Sequence, residues 1–236
     1  MSELTLRALA MTGEVNAGDD LAALLLEALT RAELSLEPGD VVVVTSKVVA
    51  KSEGRVVDFD GSDEAKLRLI VDESVRVLRR RGTLRITETK HGFINANAGI
   101  DLSNARPGTA VLLPQDPDRS ARRLRAELKR RGEAEVAILI TDTFGRAWRN
   151  GVTDVAIGSA GLTAILDLRG TKDANGRLLE ATEIAVADEV AAAANLVLHK
   201  AAGTPFALIR GLDPSFLGEG SIVGDVVRAP HDDLFR

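Results

Sequence analysis

The stretch Gly39-Asp-Val-Val-Val-Val-Thr-Ser-Lys47 contains four consecutive β-branched residues, Val41 to Val44. A strand with one solvent-exposed face alternates apolar and polar residues, whereas an unbroken apolar run indicates a strand covered on both faces. Val136 to Ile140 form a second run of this kind. Helical periodicity flanks both runs, and we predict helices over Leu21–Leu34 and Asp116–Arg131, with Asp19 or Asp20 capping the first. Buried strands alternating with helices indicate an α/β or mixed α+β fold.

The remaining segments complete a single unit. Helical periodicity extends over Asp63–Arg80, and the alanine-rich segment Ile184–Leu198 is also predicted to be helical. The run His91–Asn104, HGFINANAGIDLSN, is rich in Gly and Asn and is interpreted as a functional loop. We find no repeat and no low-complexity linker, so residues 1–236 are treated as one domain. Further strands are expected at Thr5–Leu9, Thr83–Thr89 and Thr109–Leu113.

Composition excludes several classes of protein. A net charge of −5 argues against binding to nucleic acid or to an anionic membrane. The basic residues of 119–131 fall at helical spacing between Leu124 and Leu128, which favours a solvated helix face. Without cysteine there is no disulfide, no Cys nucleophile and no thiolate metal site. No signal peptide is apparent, and no apolar run approaches about 20 residues, so we expect a soluble, cytoplasmic protein.

Oxygen ligands cluster where an apolar strand ends and in the Gly/Asn-rich loop. Asp142 and Thr143 follow the second buried strand, and Asp101 lies in the loop. Hard divalent cations such as Mg²⁺ and Mn²⁺ prefer carboxylate, hydroxyl and phosphate oxygens. Loop aspartates more often form Asx turns or helix caps, so both interpretations stay open at this point.

Cationic side chains follow the same two strands. Ser46, Lys47 and Lys51 come after the first, a position where ligands of open α/β sheets bind, and a lysine there can hold phosphate. A solvated lysine is the more common alternative, so both interpretations stay open. Arg146 and Arg149 flank Trp148 and can clamp an anion, with surface ion pairing as the alternative. The sequence has no GxxxxGK[ST] and no GxGxxG motif.

A zinc site is not expected. No two of the three histidines stand within helical reach of each other, and His199 closes a predicted helix, where a capping role suffices. From the residues alone, the chain is an α/β protein with features of a metal–nucleotide enzyme.

Longer strings carry a resemblance to a known family. The segment Gly39–Arg55, GDVVVVTSKVVAKSEGR, resembles the coenzyme F-420-0:L-glutamate ligase family, and so do Ile140–Gly151, ITDTFGRAWRNG, and Glu183–Glu189, EIAVADE. The ending Asp232–Phe235, DDLF, is similar as well. The resemblance covers nearly the whole chain and is particularly close to the ligase domain of bacterial two-domain enzymes. Those enzymes continue into a flavin-binding domain, so we expect either a free-standing ligase or an excised ligase domain.

The resemblance implies a reaction. GTP phosphorylates a carboxylate on the lactyl phosphodiester side chain of the deazaflavin F-420-0, and the amine of L-glutamate then displaces phosphate to form an amide. A second round adds a γ-linked glutamate. The family implies an unusual α/β fold, a homodimer, and Mg²⁺ or Mn²⁺, with K⁺ as a further candidate. The sequence leaves open the general base, the number of glutamates added, and whether the acceptor is F-420-0 or an altered precursor.

The resemblance also implies roles for individual residues. Asp101, Asp142 and Thr143 match metal ligands, and Glu219 stands where the family pattern has a glutamine ligand. The matched GTP-contacting positions are Thr12, Gly13, Glu14, Val15, Ser46, Lys51 and Asn104, together with Gly218, Gly220 and Ser221 in a second glycine-rich loop. Two alternatives stay in view: another nucleotide-dependent carboxylate–amine ligase, and a non-catalytic nucleotide-binding subunit.

Overall fold

The computed structural model describes residues 3–103, 106–198 and 203–234. It contains helices and strands in several sheets, which confirms the predicted mixed α/β class. The helices are α1 (Leu21–Arg31), α2 (Ser46–Ser52), α3 (Asp63–Asp72), α4 (Pro117–Arg130) and α5 (Val186–Asn195). The strands are β1 (Thr5–Leu9), β2 (Val41–Thr45), β3 (Val56–Asp58), β4 (Ser74–Arg81), β5 (Leu84–Thr89), β6 (Ile94–Ala96), β7 (Thr109–Val111), β8 (Ala137–Arg146), β9 (Arg149–Ala160), β10 (Leu166–Asp167), β11 (Glu183–Ile184) and β12 (Phe206–Arg210).

A five-stranded mixed sheet in the order β1-β12-β2-β8-β9 forms the centre of the fold. Only β2 and β8 run parallel, with Val41 opposite Ala137 and Thr45 opposite Thr141. Val41 to Val44 have no exposed surface, because the sheet is covered on both faces, as the valine run predicts. Helices α4 and α5 both pack on β9 and β8, and α1 packs on α4. Within the described ranges, no helix is both long and apolar enough to cross a lipid bilayer.

Helix α1 begins at one of its two predicted caps, and α4 begins at a cap of the same kind. The Asp20 carboxylate accepts a hydrogen bond from the Ala23 N–H at 3.1 Å, and Asp116 caps α4 in the same way through Arg119 N–H at 2.9 Å. Each cap satisfies one of the backbone donors that a helix leaves unpaired at its start. The basic face of α4 is solvated as predicted, since Arg119, Arg122 and Arg123 are exposed.

The prediction of one helix over Asp63–Arg80 is wrong in its second half. Helix α3 ends at Asp72, and Ser74–Arg81 form β4, which pairs antiparallel with β5 across a turn at Gly82. The β-branched Val75 and Val77 favour a strand, and pairing with β5 supplies the backbone hydrogen bonds that a helix would otherwise make. The helical periodicity came from Ser74, Val77 and Leu78, whose spacing continues that of Ile70 and Val71.

Other boundaries also moved. The interpretation of His91–Asn104 as a loop is incomplete, because Ile94–Ala96 pair with β5 and Asn97–Gly99 form a 3₁₀ turn. The last helix is shorter than predicted and spans Val186–Asn195, and the strand predicted over Thr109–Leu113 ends at Val111. His199 lies outside the described residues. Strand β8 continues to Arg146, so Asp142 and Thr143 lie within a strand and do not follow its end.

Candidate functional site

A cavity of about 560 Å³ opens at the carboxyl end of β2, where the parallel pairing of β2 with β8 ends at Thr45 and Thr141. Ligands of open α/β sheets commonly bind at such ends. We call it the central cavity. Its lining includes eight of the sixteen predicted site residues, namely Gly13, Glu14, Val15, Ser46, Lys51, Asp101, Asp142 and Thr143.

The turn from β2 into α2 brings the cationic side chains to the cavity. Lys47 and Lys51 are four residues apart on α2, so they lie on the same face of the helix. The Lys51 ammonium is largely buried, with 13% of its side chain exposed, and lies 3.8 Å from the Glu14 carboxylate. The Lys47 ammonium lies 2.6 Å from Asp101 Oδ2. Two ammonium groups on one wall suit a ligand that carries several negative charges.

Asp142 lies within β8 and faces Ser46, the first residue of α2, which directly follows the neighbouring strand β2. The Ser46 hydroxyl donates to Asp142 Oδ1 at 2.9 Å. Part of Asp142 faces the open cavity, but protein surrounds its other sides. This burial raises the pKa of Asp142 to about 7, and the nearby Asp101 and Asp154 carboxylates add to the increase. No cationic side chain among the described residues offsets this increase, so the cavity contains one carboxylate, Asp142, that is only weakly acidic.

Asp101 has the opposite electrostatic balance. Its backbone exchanges two 2.9 Å hydrogen bonds with Val111, which fixes the loop against β7. Burial alone would raise the pKa of Asp101, but hydrogen bonds from Lys47 and Ser103 hold the pKa below its usual value. Ser103 donates through both its N–H and its hydroxyl to Asp101 Oδ1, each at 2.6 Å. Asp101 is thus ionised and held in place beside the more weakly acidic Asp142.

Comparison with known proteins now identifies the family. Residues 10–211 match the family described as F420-0:Gamma-glutamyl ligase. This chain belongs to the F420-0:gamma-glutamyl ligase family. Proteins named Coenzyme F420:L-glutamate ligase are 39% identical in Methanothermobacter thermautotrophicus and in Methanopyrus kandleri, with 94% of each chain covered in both comparisons. The corresponding protein of Archaeoglobus fulgidus is 38% identical over 94% of this chain and 92% of its own. The predictions of this family and of a carbon–nitrogen ligase are confirmed.

A divalent metal fits the residues that this family member places in the cavity. Two carboxylates and the Thr143 hydroxyl are hard oxygen donors, the kind that Mg²⁺ and Mn²⁺ prefer. Among residues 3–103, 106–198 and 203–234, no three Asp, Glu, His or Cys side chains form a ready-made metal cage. This agrees with sites in which one or two carboxylates bind Mg²⁺ and substrate phosphates complete the coordination. A bound cation would lower the raised pKa of Asp142, because its positive charge favours the ionised carboxylate.

Two residues of the cavity were missed by sequence reasoning. Asp154 is buried on β9 opposite Thr143, and its Oδ1 accepts the Thr143 hydroxyl proton at 2.7 Å. Thr141 is 1% exposed, and its hydroxyl has no hydrogen-bond partner in the described part of the chain. Asp154 could have been recognised from the pairing of β8 with β9, which places it opposite Thr143. An unpartnered buried hydroxyl in a cavity wall is a candidate ligand contact.

A further wall of the cavity was also missed. Asn195 and Leu198 at the end of α5 line it, together with the segment Gly203–Pro205 that leads into β12. In sequence this region appears only as the end of an alanine-rich helix followed by a glycine. Its position at the cavity follows from β12 lying next to β2 in the sheet.

The second glycine-rich segment does not line the central cavity. The Glu219 carboxylate is 80% exposed and lies 3.3 Å from Arg125 Nη1, away from Asp101 and Asp142. The Ser221 hydroxyl donates to Asp118 Oδ2 at 2.8 Å, which ties this segment to the start of α4. The nucleotide role of Gly218, Gly220 and Ser221 and the metal role of Glu219 stay predictions.

Three other predicted positions also lie elsewhere. Thr12 accepts a hydrogen bond from Arg31 and does not line the cavity, although its neighbours Gly13 to Val15 do. Arg146 and Arg149 lie at the exposed end of the β8–β9 hairpin, outside the cavity lining. Asn104 lies outside the described residues.

Proposed function

We propose that this chain ligates L-glutamate to the carboxylate of coenzyme F-420-0 with GTP as the co-substrate. The observation that carries the proposal is one cavity that combines Lys47 and Lys51 with the carboxylates of Asp101 and Asp142. A nucleoside triphosphate binds where cationic side chains offset its negative charge, and the metal that accompanies it binds hard oxygen ligands. The names of the relatives supply the coenzyme and the amino acid.

Asp101, Asp142 and Thr143 are proposed to hold Mg²⁺ or Mn²⁺. When bound, the cation neutralises phosphate charge and aligns the acceptor carboxylate with it. Asp154 accepts a hydrogen bond from the Thr143 hydroxyl. The lone pairs of that hydroxyl oxygen therefore stay available for a cation. Ser46 holds the Asp142 carboxylate in position. The protein thus supplies pre-oriented ligands, which is most of what phosphoryl transfer requires.

An acyl phosphate is the proposed intermediate. An amine cannot expel an oxide-like leaving group from a carboxylate at neutral pH, so the carboxylate must first be activated. Transfer of the γ-phosphoryl group of GTP to the acceptor carboxylate releases GDP and makes phosphate the next leaving group, which divides one hard step into two easier ones. Lys47 and Lys51 are placed to offset the charge on the nucleotide phosphates. The general base that deprotonates the glutamate ammonium is not assigned.

Incubation with F-420-0, GTP, Mn²⁺ and L-glutamate, with products resolved by mass, tests this function. The expected product is F-420-0 plus one glutamyl residue, formed only when all four components are present. A chain that ligates glutamate to another carboxylate, but never to F-420-0, would instead be a different carboxylate–amine ligase. A chain that binds GTP without any turnover would be a nucleotide-binding subunit.

Lys51→Ala should weaken GTP binding by about 1.5–3 kcal/mol, the usual contribution of a hydrogen bond to a charged group. The effect should be near the upper end, because the Lys51 side chain is mostly shielded from water. Calorimetric titration with GTP measures it directly. Lys129→Ala, which removes an exposed lysine of α4, serves as the matched control and should leave the affinity unchanged. Equal GTP affinities for Lys51→Ala and the wild type would remove Lys51 from the nucleotide site.

The same resemblance supports a homodimer and a role for K⁺, and we propose both. We further propose that residues 1–236 act as one ligase domain. Light scattering of the purified chain at micromolar concentration measures the oligomeric state. Ligation assays with K⁺ replaced by Na⁺ measure the potassium requirement.

A further inference from the structure

The end of the β8–β9 hairpin presents an exposed tryptophan. Strand β8 ends at Arg146 and β9 begins at Arg149, so Ala147 and Trp148 form a two-residue turn. Trp148 is 92% exposed and is the only tryptophan of the chain. Single exposed apolar residues are common on protein surfaces, but an indole open to water over nearly all of its area contributes no burial to the fold.

The backbone at Trp148 is also strained. Its φ of +63° lies in the left-handed region, which glycine adopts freely and a bulky side chain adopts at a cost. Strain of this kind persists only where the surrounding structure enforces it, and it is concentrated at active sites and ligand clamps. At this turn glycine would be the residue favoured by the backbone. Trp148 therefore indicates a role for the indole itself.

The hairpin connects this indole to the central cavity. Its two strands carry Asp142, Thr143 and Asp154 at the cavity end. From Thr143 to Arg146 the strand rises about 3.3 Å per residue, which places the start of the turn roughly 10 Å from Thr143. The hairpin thus extends without a break from the central cavity to the turn that carries Trp148.

Two arginines flank the indole. Arg146 Nη2 donates to the Asn150 carbonyl at 2.7 Å, which holds that guanidinium against the turn. Arg149 makes no ion pair with any residue of the described ranges. An exposed indole with an arginine on either side of it along the chain suits a ligand that presents a planar ring and negative charge.

We propose that Trp148 stacks on the deazaflavin ring of the acceptor. This inference rests on the proposed function. An acceptor whose reacting carboxylate ends an extended phosphodiester chain needs its ring held at a distance from the metal. The hairpin turn offers a planar, apolar contact at such a distance. Trp148 is thereby a specificity-determining residue for the acceptor and has no part in GTP binding.

Steady-state kinetics of Trp148→Gly and Trp148→Phe test the contact. Glycine relieves the strained φ, so the Tm of Trp148→Gly should equal or exceed that of the wild type. Its KM for F-420-0 should nevertheless rise roughly 5- to 100-fold, the range expected when an aromatic stacking partner is lost. The KM values for GTP and L-glutamate should not change, and Trp148→Phe should recover most of the loss. Leu178→Ala, which trims another exposed apolar side chain far along the chain, should behave as the wild type.

The fluorescence of Trp148 gives a second readout, because the chain has no tyrosine and no other tryptophan. Energy transfer to a deazaflavin lowers emission without contact, so the decisive quantity is the lifetime-corrected rate of collisional quenching by acrylamide. Bound F-420-0 should lower that rate, because a stacked indole is shielded from the quencher. GTP alone should not lower it.

The outcomes separate this inference from the proposed function. If the wild type ligates glutamate to F-420-0 and Trp148→Gly does so with the same KM, the inference is wrong and the proposed function stands. A free protein whose indole is already shielded, with no change on adding F-420-0, also overturns it and indicates that a second copy of the chain covers the turn. Failure of the wild type to ligate F-420-0 at all rejects the proposed function.

Discussion

Asp142→Asn is expected to abolish glutamate ligation while the fold is retained. The amide has nearly the same shape as the carboxylate and can still accept the Ser46 hydroxyl proton. It is, however, a far weaker ligand for a hard cation. Turnover at limiting Mn²⁺, followed by mass of the glutamylated product, measures the effect. Asp72→Asn, at the exposed end of α3, is the matched control and should keep wild-type turnover.

Stability as a function of pH shows whether the variant folds. Burial raises the pKa of Asp142 from 3.8 to about 7, so the folded protein binds this proton more tightly than the unfolded chain. The stabilising contribution of the protonated group is complete below pH 3.8 and is lost as pH rises to about 7. Asparagine stays neutral, so metal-free Asp142→Asn should equal or exceed the wild type in unfolding free energy at about pH 8. A folded Asp142→Asn variant with wild-type turnover would show that Asp142 is not a metal ligand.

Gly158→Ala is expected to reduce the free energy of unfolding by at least about 3 kcal/mol, at or beyond the upper end of ordinary overpacking costs. A Cβ at Gly158 would lie 2.4 Å from both the carbonyl carbon and the carbonyl oxygen of Pro117. These are backbone atoms of the first turn of α4, which cannot rotate away as a flexible side chain can. The contact is buried between β9 and α4, so relief requires moving the helix.

Gly145→Ala is the matched control on the same hairpin. A Cβ there would meet nothing within 4 Å, and the change should stay within about 0.5 kcal/mol. Urea unfolding of both variants measures the difference. If Gly158→Ala unfolded at the wild-type urea concentration, α4 would not lie as close to β9 as the structure places it.

Local sequence signals predicted the centre of the fold well. The four consecutive valines of β2 and the apolar run of β8 required burial on both faces, and the structure buries them. Asp20 was recognisable as a helix cap because capping depends on residues three apart in sequence. Where the pattern suited both helix and strand, as over Ser74–Arg81, the pairing of β4 with β5 decided the structure, and a local pattern does not contain that pairing.

The site was predictable where its residues lie in or directly after the two buried strands β2 and β8, or in the Gly/Asn-rich loop. Ser46, Lys51, Asp101, Asp142 and Thr143 all reach one cavity, although Ser46 and Asp142 are 96 residues apart. Asp154 was not predictable, because its role depends on the register that places it opposite Thr143. Composition gave no sign that Gly203–Pro205 would form a wall, since this follows from the position of β12 in the sheet.

The central claim is that the acceptor carboxylate is activated as an acyl phosphate before the amine attacks. Such an intermediate hydrolyses readily, so the site should exclude water until glutamate binds. Labelling the carboxylate of F-420-0 with ¹⁸O tests this claim directly, because the oxygen that bridges to phosphorus leaves with the phosphate. Each released phosphate should carry one ¹⁸O atom, and phosphate should be released only while the amide product forms. Unlabelled phosphate from a reaction that makes the amide would mean that water attacked the nucleotide, and would contradict the acyl-phosphate mechanism.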